Sequence, residues 1–247
     1  MQARGEKACL GRAAGYEMFM NSPDPDRSAA PLPAVSATQA AYESIRQMII
    51  TGELAPGEKL KIEHLKDRME TGSSPVREAL TLLVSDQLVE RLDQRGFRAA
   101  PVSQENFNEI FRLRCTLEEL ALRESIANAT EQWEESLVLS HHHMARADSQ
   151  DFAAFELRHK TFHMTLLACS ASPILLRYCS QLYDLNVRYR YLAGRSKKYT
   201  RRDVASEHEG ILNAAVARDA DLTAARLMEH YQKTGTFLAE IPDKSDG

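Results

Sequence analysis

From position 38 to 51 the apolar residues Tyr42, Ile45, Met48 and Ile49 recur at helical spacing and form one stripe, which predicts a first helix. Gly52 follows as its C-cap, and Leu54-Ala55-Pro56-Gly57 is a turn signal. Ile62, Leu65 and Met69 are the inward residues of a second short helix over 62–70, and Thr71 to Ser74 form a tight turn around Gly72. Ser74-Pro75 marks a third helix, with a hydroxyl cap before a proline; it runs to Asp86 on an apolar face of Val76, Ala79, Leu80 and Leu83. The period then changes. Val89-Glu90-Arg91-Leu92 alternates, Asp93-Gln94-Arg95-Gly96 turns, and Phe97-Arg98-Ala99-Ala100 returns to Pro101, which reads as a two-stranded hairpin.

After Ser103 only the helical period remains. Helices are expected near 104–128, 131–147, 151–169, 173–193, 201–217 and 220–240, with Ser172-Pro173 and Asp219 as start signals. The fold class is therefore mainly α: an N-terminal winged helix-turn-helix over 36–101 and an all-helical bundle over 104–241. Residues 1–35, rich in Gly, Ala, Pro and Asp, read as a disordered tail. The 247 residues suffice for these two domains.

Two short helices, a glycine turn and a hairpin place the third helix in a DNA major groove, where the residues at its start meet base edges. Those are Ser73, Ser74 and Arg77, with Arg95 and Gly96 at the hairpin tip poised for the minor groove. Charge complicates this. The chain carries a net −4, and residues 36–101 hold nine Lys or Arg against ten Asp or Glu. Binding then requires positive charge concentrated on one face, for which Arg91, Arg95 and Arg98 on the hairpin are the source.

The ordered chemistry in the second half is imidazole. His159 and His163 are four apart and share one helix face, while His208 and His230 lie on later helices. Such a pair with two further imidazoles can surround a divalent metal in a bundle core, although spacing alone leaves open a set of ordinary core or surface histidines. His141-His142-His143 point around a helix and read as a solvated face. His64 reads as a surface residue and Trp133 as packing. The four cysteines include no CxxC pair, so no thiolate zinc site is suggested. A mean hydropathy of −0.41, with no long apolar run and no apolar core near Met1, makes the cytoplasm the default location and excludes a membrane partner.

Two runs carry a family resemblance. Gly52-Glu53-Leu54-Ala55-Pro56-Gly57, Ser74-Pro75-Val76-Arg77-Glu78-Ala79-Leu80, Leu88-Val89 and Arg95-Gly96 resemble the GntR family of bacterial transcription regulators. By that resemblance Arg77 and the residues before Pro75 contact double-stranded operator DNA. The chain departs from the family pattern at Ser73 and Glu63, where the family has Arg, which implies weaker phosphate contacts and a changed base preference. Arg114-Cys115-Thr116-Leu117-Glu118, Phe162-His163, Glu207-His208 and the stretch from Asp219 to His230 resemble the FCD ligand-binding domain of the FadR branch. In many such domains Asp, His, His and His hold a metal. His163, His208 and His230 match the last three, and His159 stands where the Asp does. Four neutral imidazoles leave one more positive charge than three with a carboxylate, and all-nitrogen ligation suits zinc, nickel or copper.

The expectation is a homodimeric regulator, a repressor, controlled by a small carboxylate metabolite that completes the metal's coordination. Arg114 is the first candidate to pair with that carboxylate, and Arg188 and Arg190 are weaker ones. Two alternatives remain at this point: a regulator with a metal-free effector pocket, in which His159 marks a lost metal site, and a metal-dependent hydrolase with Glu207 as its base. The adjacency of Glu207 to His208 turns the two side chains about 100° apart on a helix, which argues against the hydrolase.

Overall fold

Ser36 opens the first helix by accepting a hydrogen bond from the Gln39 amide, and α1 then spans Ala37–Ile50. The computed structural model describes residues 36–147, 151–194 and 203–238; the tail expected over 1–35 lies outside them, as do the ends of the helices expected to start at 201 and to reach 240. The described residues form two compact units, one ending at Ser103 and the other starting at Gln104.

In the first unit α1 packs on α3 (Ser73–Ser85), and α2 (Ile62–Arg68) packs beside them. Ile45, Val76, Leu80 and Leu83 are fully buried and make the core, and Leu65 and Phe97 close it. The hairpin strands, β2 (Val89–Leu92) and β3 (Gly96–Ala99), pair in the expected register, with Val89 opposite Ala99 and Leu92 opposite Gly96. The three residues between them include Gln94 at φ 55°, and Gly96 follows at φ 95°, a conformation that side chains disfavour. Asp93, Gln94 and Arg95 form the tip, and Gly96 begins the strand rather than belonging to the turn.

Two local expectations are corrected. Ser74 does not cap α3: the helix starts at Ser73, Gly72 is its N-cap, and no side chain bonds the cap position. Pro75 then falls in the first turn, where its missing N–H has no partner to lose. The hairpin also gains a third strand. β1 (Lys59–Leu60) pairs with β3 to give the order β1-β3-β2. Two residues are too short to show an alternation in the sequence; what makes the strand is its pairing, continued by the Ala99 amide donating to the Glu58 carbonyl at 2.8 Å and the Gly57 amide to the Ala99 carbonyl at 3.0 Å.

The second unit is helical throughout its described residues: α4 (Gln104–Ala127), α5 (Glu131–Ala145), α6 (Phe152–Leu167), α7 (Pro173–Gly194), α8 (Val204–Val216) and α9 (Ala220–Leu238). Each lies within a few residues of its expected bounds. The helix starts obey the sequence signals, with Ser172 Oγ accepting from the Leu175 amide and Asp219 Oδ1 from the Leu222 amide. α4 packs against α6, α7 and α9; α5 packs against α6 and α8. The apolar core of this unit includes Trp133, Leu137, Phe162, Leu167, Ile211 and Leu227. Trp133 is core, and its indole N–H donates to the Thr165 carbonyl at 2.8 Å. Among the described residues no helix is long and apolar enough to cross a membrane.

Two residues of α3 separate packing from propensity. Leu80 is fully buried, whereas Leu82 is 47% exposed. Leu80→Ala should destabilise the first unit by about 2–5 kcal/mol, and Leu82→Ala by no more than about 0.5 kcal/mol, read as a shift in urea midpoint. Equal shifts would contradict this packing.

Candidate metal centre and nucleic-acid interface

At the start of α3, Ser73, Ser74 and Arg77 are all exposed, as are Arg95 at the hairpin tip and Gly96 at the start of β3. Ser73, Ser74, Arg77 and Arg95 thus present exposed side chains and Gly96 exposed backbone, and the α3 start adds uncapped N–H groups that suit a phosphate. The local charge is sorted by ion pairing. Arg98 is held by Glu90 at 2.6 Å, Arg68 is bonded to Glu53, and Lys66 to Glu63. Arg98 therefore adds less to a basic hairpin than its sequence position suggests. Arg77, Arg91 and Arg95 enter no ion pair among the described residues. The near-neutral charge of the domain conceals this subset.

The four histidines come together. His159 and His163 on α6, His208 on α8 and His230 on α9 are buried, and one nitrogen of each lies within 4.8 Å of the others. His159 Nε2 is 3.0 Å from His208 Nε2, and the His208 and His230 ring centres are 4.5 Å apart. His163 Nε2 is buried and has no hydrogen-bond partner. Tetrahedral bonds of about 2.1 Å to one ion hold each pair of nitrogens about 3.4 Å apart, so a pair at the 4.8 Å limit must close by about 1.4 Å for all four to ligate. A buried imidazole nitrogen without a partner, among three others, fits a transition metal. His163, His208 and His230, with His159, are the residues that would hold it.

The outward nitrogens of three of the four histidines are engaged. His230 Nδ1 meets Glu207 Oε2 at 2.8 Å. His163 Nδ1 meets Tyr231 Oη at 3.0 Å, and Tyr231 bonds Glu118 in turn. His159 Nδ1 meets Tyr183 Oη at 2.5 Å, and Tyr183 donates to Glu156 Oε2 at 3.1 Å. Burial, and then the neighbouring Arg190 and imidazoles, push His159 well below its ordinary 6.5. Burial and the other imidazoles do the same to His163 and His208. Burial likewise raises Tyr183 and Tyr231, which stay neutral hydroxyl donors.

The arginines differ from the simple expectation of an open guanidinium fork. Arg114 donates from Nε to Glu118 Oε1 at 2.5 Å and from Nη1 to Asn186 Oδ1 at 3.0 Å, and its guanidinium lies between the Tyr183 and Tyr231 rings at 4.8 and 4.2 Å. Only Nη2 is left without a partner, and it is buried. Burial opposes the charge on Arg114, but Glu118, Tyr231 and Tyr183 together outweigh it and raise the group. Arg190 bonds Glu156, Tyr183 and His159, and Arg188 is buried as well. Sequence reasoning missed Glu118, Glu156, Tyr183, Tyr231 and Asn186. Glu118 sits four residues after Arg114 and Glu156 three before His159, but such pairs usually mark a solvated helix face, and only burial distinguishes them. Glu207 is not a base facing the cluster; it bonds the outward side of His230. His141 is partly buried against Phe162, and His142, His143 and His64 are exposed.

Residues 37–98 match the family described as bacterial regulatory proteins, gntR family, and residues 109–233 match the FCD domain. An uncharacterized HTH-type transcriptional regulator, BphR of Paraburkholderia xenovorans (strain LB400), is 34% identical over 87% of this chain and 91% of that protein. The HTH-type transcriptional repressor GlaR of Escherichia coli (strain K12) is 30% identical over 76% of this chain and 90% of its own length. Among solved structures, E. coli McbR/YncC superposes with a TM-score of 0.73 at 24% identity, covering 83% of this chain and 97% of that one, a likeness of fold.

Metal-free protein should lose stability in acid. The folded values of His159, His163 and His208 are lowered below 6.5, so as pH falls through 6.5 the unfolded chain takes up protons that the folded chain refuses. Stability is fully present above that value and falls below it, by up to about 1.4 kcal/mol per pH unit for each histidine. Melting curves at pH 8 and pH 5.5 check this; an unchanged midpoint would contradict neutral burial.

Proposed function

This chain belongs to the GntR family of bacterial regulatory proteins and carries an FCD domain, and on that footing we propose that it is a homodimeric repressor whose operator affinity is set by a metal-bound carboxylate metabolite. It is a DNA-binding transcription regulator and not an enzyme: its relatives are regulators, and Glu207, the one residue offered as a hydrolytic base, serves His230 instead. In this reading Ser73, Ser74, Arg77, Arg95 and Gly96 meet DNA. Arg77 pairs with a guanine edge or a phosphate, and two such heads read a near-palindromic site.

The observation that carries the sensing half is a pair of unmet polar atoms in one network. His163 Nε2 and Arg114 Nη2 are both buried without partners, and Glu118 and Tyr231 connect the two residues by hydrogen bonds. One lacks an electrophile and the other an acceptor. A zinc or nickel ion supplies the first, acting as a Lewis acid that fixes an anionic oxygen, and a carboxylate supplies the second. Arg188 and Arg190 add positive charge to the same interior. A single Arg114 nitrogen gives one hydrogen bond rather than a two-pronged clamp, so the metal carries most of the anion's affinity. Anion binding and operator binding then influence each other reciprocally.

Purified wild type should contain about one transition metal per chain, and the double variant His163→Ala, His208→Ala should contain none. Equal metal content, or no uptake of zinc or nickel by either, would leave a regulator with a metal-free pocket. On the DNA side, Arg77→Ala should weaken binding to fragments selected by the wild type by about 1–3 kcal/mol, measured at fixed salt. Unchanged affinity would remove Arg77 from the interface.

A further inference from the structure

A neutral imidazole has one lone pair to offer, so a ligand histidine must carry its proton on the nitrogen turned away from the metal, and something must keep it there. For His230 that partner is Glu207 directly. For His163 it is a chain. Glu118 Oε1 is taken by Arg114 Nε at 2.5 Å, and its Oε2 is bonded to Tyr231 Oη. An ion-paired carboxylate only accepts, so Tyr231 gives its one proton to Glu118 and presents lone pairs to His163 Nδ1, 3.0 Å away. His163 must then donate from Nδ1. Its lone pair is left on Nε2, the buried atom with no partner.

The second tyrosine stands in a similar place with a different neighbour. His159 Nδ1 lies 2.5 Å from Tyr183 Oη but also 3.2 Å from Arg190 Nη1, which can only donate. A proton on Nδ1 suits Tyr183 and opposes Arg190. A proton on Nε2 leaves Nδ1 to accept from Arg190 Nη1, which is nearer Nδ1 at 3.2 Å than Nε2 at 3.5 Å, and also bridges the 3.0 Å to His208 Nε2.

We infer that Tyr231, backed by Glu118, is the positioning residue that presets His163 as a metal ligand, and that Tyr183 does not preset His159 because Arg190 contests the same nitrogen. The use of this device rests on the metal reading above; its test does not, because the proton's position exists in the metal-free protein.

The experiment is a two-bond nitrogen–proton correlation on the full, metal-free chain with ¹⁵N-labelled histidine, at a pH where imidazoles are neutral. Signals are assigned with single His→Ala variants. Wild type should show His163 with its proton on Nδ1. Tyr231→Phe should move that proton wholly or partly to Nε2, whereas Tyr183→Phe should leave His163 unchanged. In zinc competition against a chelator, Tyr231→Phe should weaken affinity about 10–100-fold, and Tyr183→Phe by less. A tyrosine that merely packs would not move the tautomer. The wild-type spectrum decides even if Tyr231→Phe fails to fold: His163 protonated on Nε2 overturns the inference. So does a folded Tyr231→Phe with the wild-type tautomer and zinc affinity. A wild type with the expected tautomer that takes up no zinc would sink the metal reading and leave this assignment standing.

Discussion

Four imidazoles sharing a dry helical core require that their protons be placed from outside. Each ring has two nitrogens, and burial keeps at least three of the four rings neutral. The inward nitrogens lie too close together for all of them to carry hydrogens, so the outward ones must find acceptors inside the protein. That need explains why Glu118, Glu156 and Glu207 surround the cluster, two of them reaching it through a tyrosine. It also explains why Arg114 and Arg190 are buried beside it, since a carboxylate in such an interior demands an ionic partner. The arrangement of the bundle follows: α4, α6, α7, α8 and α9 must all approach one point, and Phe162 of the apolar core packs directly against the His163 and His208 rings.

Much of this was legible in the sequence. The hydrophobic period located every helix to within a few residues because each buries a continuous stripe, and the starts at Ser172 and Asp219 carry local hydroxyl or carboxylate caps. The histidine set was legible in part because His159 and His163, four apart, must share a face; His208 and His230 joined them chiefly through the family resemblance. The failures have a common physical origin. β1 is made by its pairing and not by its own two residues. Ser74 is a capping residue by type, yet the backbone turns two residues earlier, at Gly72. The support network was invisible because Arg114 and Glu118, spaced four apart, look the same on a wet face as in a core. Tyr183 and Tyr231 read as ordinary aromatic packing until their hydroxyls are seen to bridge a carboxylate and a histidine.

The DNA-binding half shows the same limit in its charges. A count over residues 36–101 argued against nucleic acid, but a count weighs every charge equally. Glu90, Glu53 and Glu63 are occupied by Arg98, Arg68 and Lys66. What remains unpaired includes Arg77 at the start of α3 and Arg95 at the hairpin tip, the two places where a winged head meets DNA. Binding that relies on few unpaired cations depends less on salt than binding by a broadly basic domain, and correspondingly more on base contacts.

The interior charges bear on what it means that His159 stands where the FCD pattern this sequence resembles has Asp. Around the cluster Arg114, Arg188 and Arg190 are matched in number by Glu118, Glu156 and Glu207, so without a metal the core is close to neutral. A divalent ion held by four neutral imidazoles leaves its full charge uncompensated, in a region where charge is expensive. With Asp at position 159, half of it would be cancelled by a ligand. With His159 the compensation must come from an anion supplied by the ligand. On the proposed reading, metal and carboxylate are therefore held as a pair more strictly than in an Asp-containing site. Each raises the affinity of the other by the same factor, and the repressor responds to their joint presence.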